Sequence, residues 1–180
     1  MKTLLLPALL MIAATSASAK DIALHPGETV TIRLSGSTVE VLKRQPASDM
    51  TDYETNLVRK MQMTNVAPEA TFVPPSPIYR GEIPSDPPKV MPDVVQFTFR
   101  HVGGEYRGTS VHSLLTIANG YSSQMRYRAA IEKDHHRQPT DVCGVMAAGR
   151  GAEHWPYSID ALDLSDLRFD TFDESNPPCE

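Results

Sequence analysis

The chain has 180 residues, and its 17 Lys and Arg against 22 Asp and Glu give a formal net charge of −5. This mildly acidic balance gives no reason to expect a nucleic acid or an anionic lipid surface as a partner. Residues 1–19 have the layout of a secretory signal peptide, with Lys2, an apolar run and the small residues Ala17-Ser18-Ala19 at the expected cleavage site. The sequence therefore predicts a periplasmic or secreted protein cut before Lys20, with a retained N-terminal anchor as the alternative.

Residues 20–180 have the size of a single domain and contain both cysteines, Cys143 and Cys179. Two cysteines in an exported chain most often pair, so we expect a disulfide that holds the C-terminal tail in place. Two free thiols are the alternative. No later apolar run is long enough to span a bilayer, so the sequence predicts no stable membrane insertion after cleavage.

The first part of this domain predicts β-strands. Ile22 and Leu24 alternate with other residues before the turn signal Pro26-Gly27. Alternation with β-branched residues is the signal of half-buried strands, so we expect a strand, a Pro-Gly turn and then a hairpin. The apolar positions of that hairpin, on either side of Ser35-Gly36-Ser37, are Val30, Ile32, Leu34, Val39 and Val41.

The middle of the chain is less regular. Thr51 and Glu54 have the spacing of a helix capping box, and Tyr53 and Leu57 fall on one helical face. We expect one or two helical turns here, with a strand over 51–64 as the alternative. Residues 65–92 hold eight of the fifteen prolines, which predicts a long, extended, proline-rich loop.

The last part predicts several further strands. Asn119-Gly120 is a hairpin signal, and the polar stretch 133–138 predicts a loop. Six to eight short strands with turn signals between them predict an all-β fold, an immunoglobulin-like two-layer β-sandwich with a long proline-rich loop. The strands expected here cover 95–99, 112–117, 125–131, 142–146 and 159–169.

Two kinds of segment carry a resemblance. The stretches LHPGETVTIRL and SLLTIANGYSSQMRYRAAI resemble strands of immunoglobulin-like domains in exported bacterial proteins. The stretches PTDVCGV and EHWPYSIDALDLSDLRF resemble parts of uncharacterised small exported proteins of Gram-negative bacteria. The resemblance implies an exported β-sandwich and brings no activity and no catalytic residue.

The residues give no support for an enzyme. There is no G-x-S-x-G motif and no glycine-rich phosphate loop, and Ser110 near His112 lacks a third catalytic partner. No cofactor is implied. We therefore expect a non-catalytic binding or protein-interaction domain, whose partner is another periplasmic or envelope protein.

A second hypothesis is a periplasmic copper-binding protein that uses methionine and histidine ligands. Thioether sulfur suits Cu(I), and imidazole suits Cu(II). Met61 and Met63 have the M-x-M spacing of soft-metal loops, and His135-His136 supply imidazoles. The alternative for the two histidines is a solvated turn.

The stretch 149–157 is the most distinctive part of the sequence. One interpretation is a recognition loop, because aromatic and arginine side chains dominate binding hot spots. The alternative is an ordered connection whose aromatic residues cap the sandwich edge. The candidate recognition residues are Arg150, Glu153, His154, Trp155 and Tyr157. Arg100, Arg107, Arg126 and Arg128 are further expected to form a basic strip for an acidic ligand, or else a solvated face.

Overall fold

The computed structural model describes residues 18–19, 21–36, 38–55, 57–58, 89–103, 111–142 and 144–171. These residues are almost entirely β-structure, with helical turns at 52–55 and 57–58. The strands are β1 (Ser18–Ala19), β2 (Ile22–Leu24), β3 (Glu28–Ser35), β4 (Thr38–Pro46), β5 (Val95–Gly103), β6 (Val111–Asn119), β7 (Gln124–Lys133), β8 (His136–Thr140), β9 (Arg150–Trp155) and β10 (Ala161–Asp170).

The strands form two antiparallel sheets that pack face to face. One sheet has six strands in the order β1-β4-β3-β5-β6-β9, and the other has four in the order β2-β10-β7-β8. Inward-facing residues from strands of both sheets form a common core, in which Phe97 and Tyr127 meet edge to face with ring centroids 6.3 Å apart. The predicted all-β two-layer sandwich is confirmed.

Strands β2, β3 and β4 follow the sequence prediction. Gly27 ends the turn after β2 with φ at 82°, and Gly36 in the β3–β4 hairpin has φ at 60°. Both angles lie in the left-handed region, which glycine enters without a steric penalty. The inward residues of β3, which are Val30, Ile32 and Leu34, are all buried.

The hairpin predicted at Asn119-Gly120 is wrong, because β6 and β7 belong to different sheets. The fully buried Asn119 side chain instead holds the crossing segment to the carbonyls of Ser123 and Met146. A Cβ at Gly120 would lie 1.7 Å from the carbonyl oxygen of Met91. The pair therefore serves a close crossing between the sheets, not a tight turn within one.

Two shorter predictions are also wrong. The described residues of the stretch 142–146 form no strand, and among them only Val145 makes an isolated bridge, to Met125 on β7. The stretch 133–138 is not a loop throughout, because β8 begins at His136 and pairs with β7. Its two-residue turn has φ at 52° and 65°, and no glycine marks it in the sequence.

Several predicted features fall outside the described residues. They include most of the predicted leader (residues 1–17), most of the proline-rich segment (65–88), and both cysteines, Cys143 and Cys179. Ser18 and Ala19, the last two residues of the predicted leader, pair with β4. Within the described part of the chain, no helix has the length and apolar character needed to cross a bilayer.

Candidate functional site

The outward face of the six-stranded sheet, turned away from the four-stranded sheet, is lined with polar side chains. Residues opposite each other in antiparallel strands point to the same side, so register decides which residues meet. Thr29 lies opposite Thr98, which lies opposite Thr116, so the three hydroxyls form one row across β3, β5 and β6. The hydroxyls of Thr29 and Thr98 are 3.0 Å apart and buried.

This face is buried because residues 47–55 and 57–58, which we call the covering segment, lie over it. The predicted capping box is confirmed within that segment. Thr51 N–H donates to Glu54 Oε2 over 2.9 Å, and Glu54 N–H donates to Thr51 Oγ1 over 3.2 Å. Such reciprocal bonds satisfy the unpaired donors at the start of a helix. Val58 then packs against Val102 and Leu114 in a small second core.

Glu54 also ties the covering segment to the sheet. Its Oε1 accepts a hydrogen bond from Thr116 Oγ1 over 3.3 Å and lies 3.5 Å from a terminal guanidinium nitrogen of Arg100. Both side chains of this ion pair are 11% exposed. Arg100 also donates to the carbonyl of Ser48 in the covering segment. A buried, hydrogen-bonded pair of this kind fixes where the covering segment lies, because breaking one partner leaves a buried charge.

A polar cleft remains between the covering segment and the sheet, with a cavity volume of about 170 Å³. The guanidinium carbon of Arg150, the first residue of β9, lies 5.9 Å from the ring centre of Tyr53. Partial burial lowers the pKa of Arg150, although an arginine stays charged at neutral pH. The charged and aromatic residues that line the polar cleft are Tyr53, Glu54, Lys89, Arg100 and Arg150.

Arg100, which lines the polar cleft, has one polar atom without a partner in the described part of the chain. The Nε–H of Arg100 is buried and finds no hydrogen-bond acceptor among the described residues. Buried donors are almost always paired in folded proteins, and a lost bond to a charged group costs more than one between neutral groups. Arg100, which lines the polar cleft, therefore has one buried donor without an acceptor among the described residues.

The structure places the predicted recognition residues at different sites. The interpretation of the stretch 149–157 as a loop is wrong, because Arg150–Trp155 forms β9 on β6. Trp155 is 6% exposed and donates from Nε1 to Thr140 Oγ1 over 2.9 Å, so it packs as a core residue. Tyr157 is partly buried against the same core. Arg150 alone among them lines the polar cleft.

Glu153 and His154 point to opposite faces of β9. Glu153 accepts a hydrogen bond from the hydroxyl of Tyr127 over 3.4 Å. Burial, reinforced by the charge of Glu153, raises the pKa of Tyr127 well above its usual range. His154 lies on the outward face beside His112 of β6. The predicted recognition residues therefore lie at separate places, which are the core, the polar cleft and a histidine pair.

Most of the metal and disulfide candidates lie outside the described residues. Met61 and Met63 lie outside those residues, while His135 and His136 are exposed at the β7–β8 turn. In the described ranges, no group of three or more His, Cys, Asp or Glu side chains is arranged to hold a metal ion. Cys143 and Cys179 are not described, so their pairing stays a prediction.

The expected basic strip is wrong as a single surface. Arg100 belongs to β5 in the six-stranded sheet, whereas Arg126 and Arg128 belong to β7 in the other sheet. Arg126 is buried and lies 2.7 Å from a carboxylate oxygen of Asp170. Arg107 lies outside the described residues. The described arginines are separated because their strands belong to different sheets. The residue pattern of a single strand does not reveal which sheet the strand joins.

Sequence reasoning missed the roles of Arg100, Glu54 and Tyr53 in the polar cleft. The capping-box spacing located Glu54 but carried no sign that its second oxygen reaches a strand 46 residues later in the chain. No known family model, no curated protein and no solved structure matches this chain. The polar cleft must therefore be interpreted from its own chemistry.

Proposed function

We propose that the chain is an exported, non-catalytic binding domain that holds a carboxylate of another periplasmic or envelope protein in the polar cleft. Export rests on the leader-like pattern of residues 1–19. An immunoglobulin-like relationship and a Cys143–Cys179 disulfide belong to the same proposal, since two cysteines in an exported chain most often pair. The separate claim about the ligand rests on the contacts of the polar cleft.

The observation that carries the proposal is the unused donor of Arg100. Its guanidinium is held by Glu54 and by the carbonyl of Ser48, while the buried Nε–H has no acceptor among the described residues. A guanidinium presents a planar fork of donors that matches a carboxylate. A carboxylate in the polar cleft would supply the missing acceptor.

The charge of the lining supports an anion. Among the described residues that line the polar cleft, Lys89, Arg100 and Arg150 are cationic, and Glu54 is the one carboxylate. This local excess of positive charge contrasts with the formal net charge of −5 for the whole chain. Stacking on Tyr53 orients Arg150 over the same space.

The volume supports a small group, not a whole metabolite. A cavity of about 170 Å³ lies below the range of about 300–1,000 Å³ that is usual for small-molecule sites. An Asp or Glu side chain, or the C-terminal carboxylate of a protein, is of suitable size. The small volume of the polar cleft therefore favours a carboxylate of a protein over a free metabolite as its ligand.

The bonds of Glu54 support a non-catalytic role. A general base needs a carboxylate that is free to take a proton from a substrate. Both oxygens of Glu54 are engaged, one with Thr51 and the other with Arg100 and Thr116. The lining carboxylate is thus used to hold the covering segment on the sheet.

The test uses a matched pair of probes and the side-chain resonance of Arg100. N-acetylglycine carries a carboxylate, and N-acetylglycinamide has the same shape without the charge. In the ¹⁵N-labelled chain, we expect millimolar N-acetylglycine to shift the Arg100 Nε–H signal and N-acetylglycinamide to leave it in place. Arg100→Lys assigns that signal by removing it.

Two variants show whether the polar cleft is responsible. Arg150→Gln should weaken the response by about tenfold, because it removes a charge that is partly shielded from solvent. Arg128→Gln is the matched control, since Arg128 lies on the other sheet with its side chain 72% exposed. Equal responses to the two probes, or no response to either, would refute carboxylate binding.

Export and the disulfide have their own test. Mass spectrometry of the chain recovered from the periplasm should give a start at Lys20 and a mass lower than the reduced mass by two hydrogen atoms. A copper function that uses Met61, Met63, His135 and His136 stays a prediction, and no contact among the described residues favours it.

A further inference from the structure

A histidine pair lies on the outward face of the six-stranded sheet, away from the polar cleft. His154 of β9 lies opposite Leu114 of β6, and His112 is two residues before Leu114 on the same face. Such diagonal neighbours are within reach of long side chains. The separation of four residues along β9 puts His154 about 13 Å from Arg150, so the histidine pair is a separate site.

The two rings meet nitrogen to nitrogen. Nδ1 of His112 and Nε2 of His154 are 2.8 Å apart, and the rings are stacked with centroids 5.0 Å apart and planes 27° apart. A hydrogen bond at this distance needs one N–H and one lone pair, so the pair is not formed by two imidazolium rings.

Neutral imidazole nitrogens are the commonest metal ligands in proteins. We propose that His112 Nδ1 and His154 Nε2 together bind one Cu(II) ion. One of the two rings donates the shared hydrogen bond. For metal binding, the proton of that ring must move to its other nitrogen through solvent. Both facing nitrogens then offer a lone pair to the ion. No net proton is lost from two neutral rings, and one is released if either ring is charged.

The nitrogen separation selects the metal. Two nitrogens that each lie about 2.0 Å from an ion and are about 90° apart are about 2.8 Å from each other, as in tetragonal Cu(II) sites. A tetrahedral angle, which Zn(II) prefers, would put them about 3.3 Å apart. The observed 2.8 Å equals the nitrogen separation of that tetragonal geometry, so the strands can stay in place while the rings turn to aim both lone pairs at one ion. Cu(II) also ranks above Zn(II) in general affinity for nitrogen ligands.

The surroundings of the pair fit an open site. In register, Leu114 lies opposite His154 and Val102 lies opposite His112, so apolar side chains flank the rings. Arg100 lies two strands from His154 in the same row, or about 10 Å away, which limits its repulsion of a cation. Two protein nitrogens leave the remaining positions of a tetragonal ion to water, so we expect an exchangeable ion.

The test is a titration of the untagged full chain with Cu(II) and, separately, with Zn(II). Electron paramagnetic resonance of the copper form reports the number of nitrogen ligands. We expect one equivalent of Cu(II) with two nitrogen ligands and weaker binding of Zn(II). His112→Ala and His154→Ala should each weaken Cu(II) binding by at least about tenfold, because loss of an outer-shell partner alone costs that much.

The matched control is the double variant His135→Ala/His136→Ala, which removes the exposed histidines of the β7–β8 turn. It should bind Cu(II) as the parent chain does. Far-UV circular dichroism checks folding, and His154→Gln replaces His154→Ala if that variant does not fold. The proposal is overturned by absence of stoichiometric Cu(II) binding, by binding that survives in both single variants, by its loss in the control, or by tighter binding of Zn(II).

Discussion

Replacing Asn119 with alanine tests whether one buried side chain holds the crossing between the two sheets. Asn119 is fully buried at the end of β6. Its Nδ2 donates to the carbonyls of Ser123, Met146 and Val145 over 2.9, 3.0 and 3.3 Å. Its Oδ1 accepts the backbone N–H of Tyr121 over 3.1 Å. We expect Asn119→Ala to be among the most destabilising substitutions of a polar residue in this fold.

The size of the effect follows from which groups lose a partner. The carbonyls of Val145 and Met146 also accept backbone N–H groups, so the main losses fall on Ser123 and Tyr121. The four hydrogen bonds of Asn119 contribute about 1 kcal/mol each. Water near the exposed Ser123 recovers part of this loss, so the free energy of unfolding should fall by about 3 kcal/mol. For a chain of this length that is a decrease in Tm of about 10 °C.

Equilibrium unfolding in urea, followed by far-UV circular dichroism, measures the change. Gln138→Ala is the matched control, because it removes the amide of an exposed residue on the edge strand β8. That variant should change the free energy of unfolding by less than about 0.5 kcal/mol. A loss below about 1 kcal/mol for Asn119→Ala, or one equal to that of the control, would refute the reasoning.

Three further changes test other contacts. Thr51→Ala removes the helix cap and should speed amide hydrogen exchange over 54–58 by about fivefold, equivalent to about 1 kcal/mol, and unchanged exchange would contradict the capping geometry. Trp155→Phe removes the hydrogen bond to Thr140 and should lower the free energy of unfolding in urea by about 1–2 kcal/mol. Trp155→Ala also removes the packing of the ring and should lower it by about 3–5 kcal/mol. Similar losses for the two variants would mean that packing is unimportant at this position. The lowered pKa of His154 means that the unfolded chain binds more protons, so the free energy of unfolding should fall as pH drops from about 7 to about 5. His154→Gln should flatten that part of the pH profile, and an unchanged slope would argue against the burial of His154.

The strands with clear alternation could be predicted from the sequence. In β3 the apolar residues Val30, Ile32 and Leu34, and in β5 the apolar residues Val95, Phe97 and Phe99, recur at every second position and are all buried. The capping box was equally local, because Thr51 and Glu54 are only three residues apart. Where the determining contacts lie within a few residues, the sequence was sufficient to predict the structure.

The failures share a different cause. In β8 all but the last residue are exposed and in β9 all but the last are half-buried, so neither strand has the contrast that an alternation pattern needs. Asn119-Gly120 carries the chemistry of a tight turn, but buried hydrogen bonds to distant carbonyls decide its conformation. The polar cleft likewise depends on long-range register, which brings Arg100 to Glu54 and Arg150 to Tyr53.

The threonine row at the floor of the polar cleft has a consequence for selectivity. Either hydroxyl of the Thr29–Thr98 pair can act as the donor, because a hydroxyl hydrogen rotates about its C–O bond. The threonine hydroxyls at this floor can therefore either donate a hydrogen bond to a neighbouring atom or accept one from it, so they discriminate little between ligands. For the carboxylate binding that we propose, discrimination between ligands is left to the guanidinium groups at the sides of the polar cleft. A change of ligand would then require redesign of the arginines, while the threonines could stay as they are.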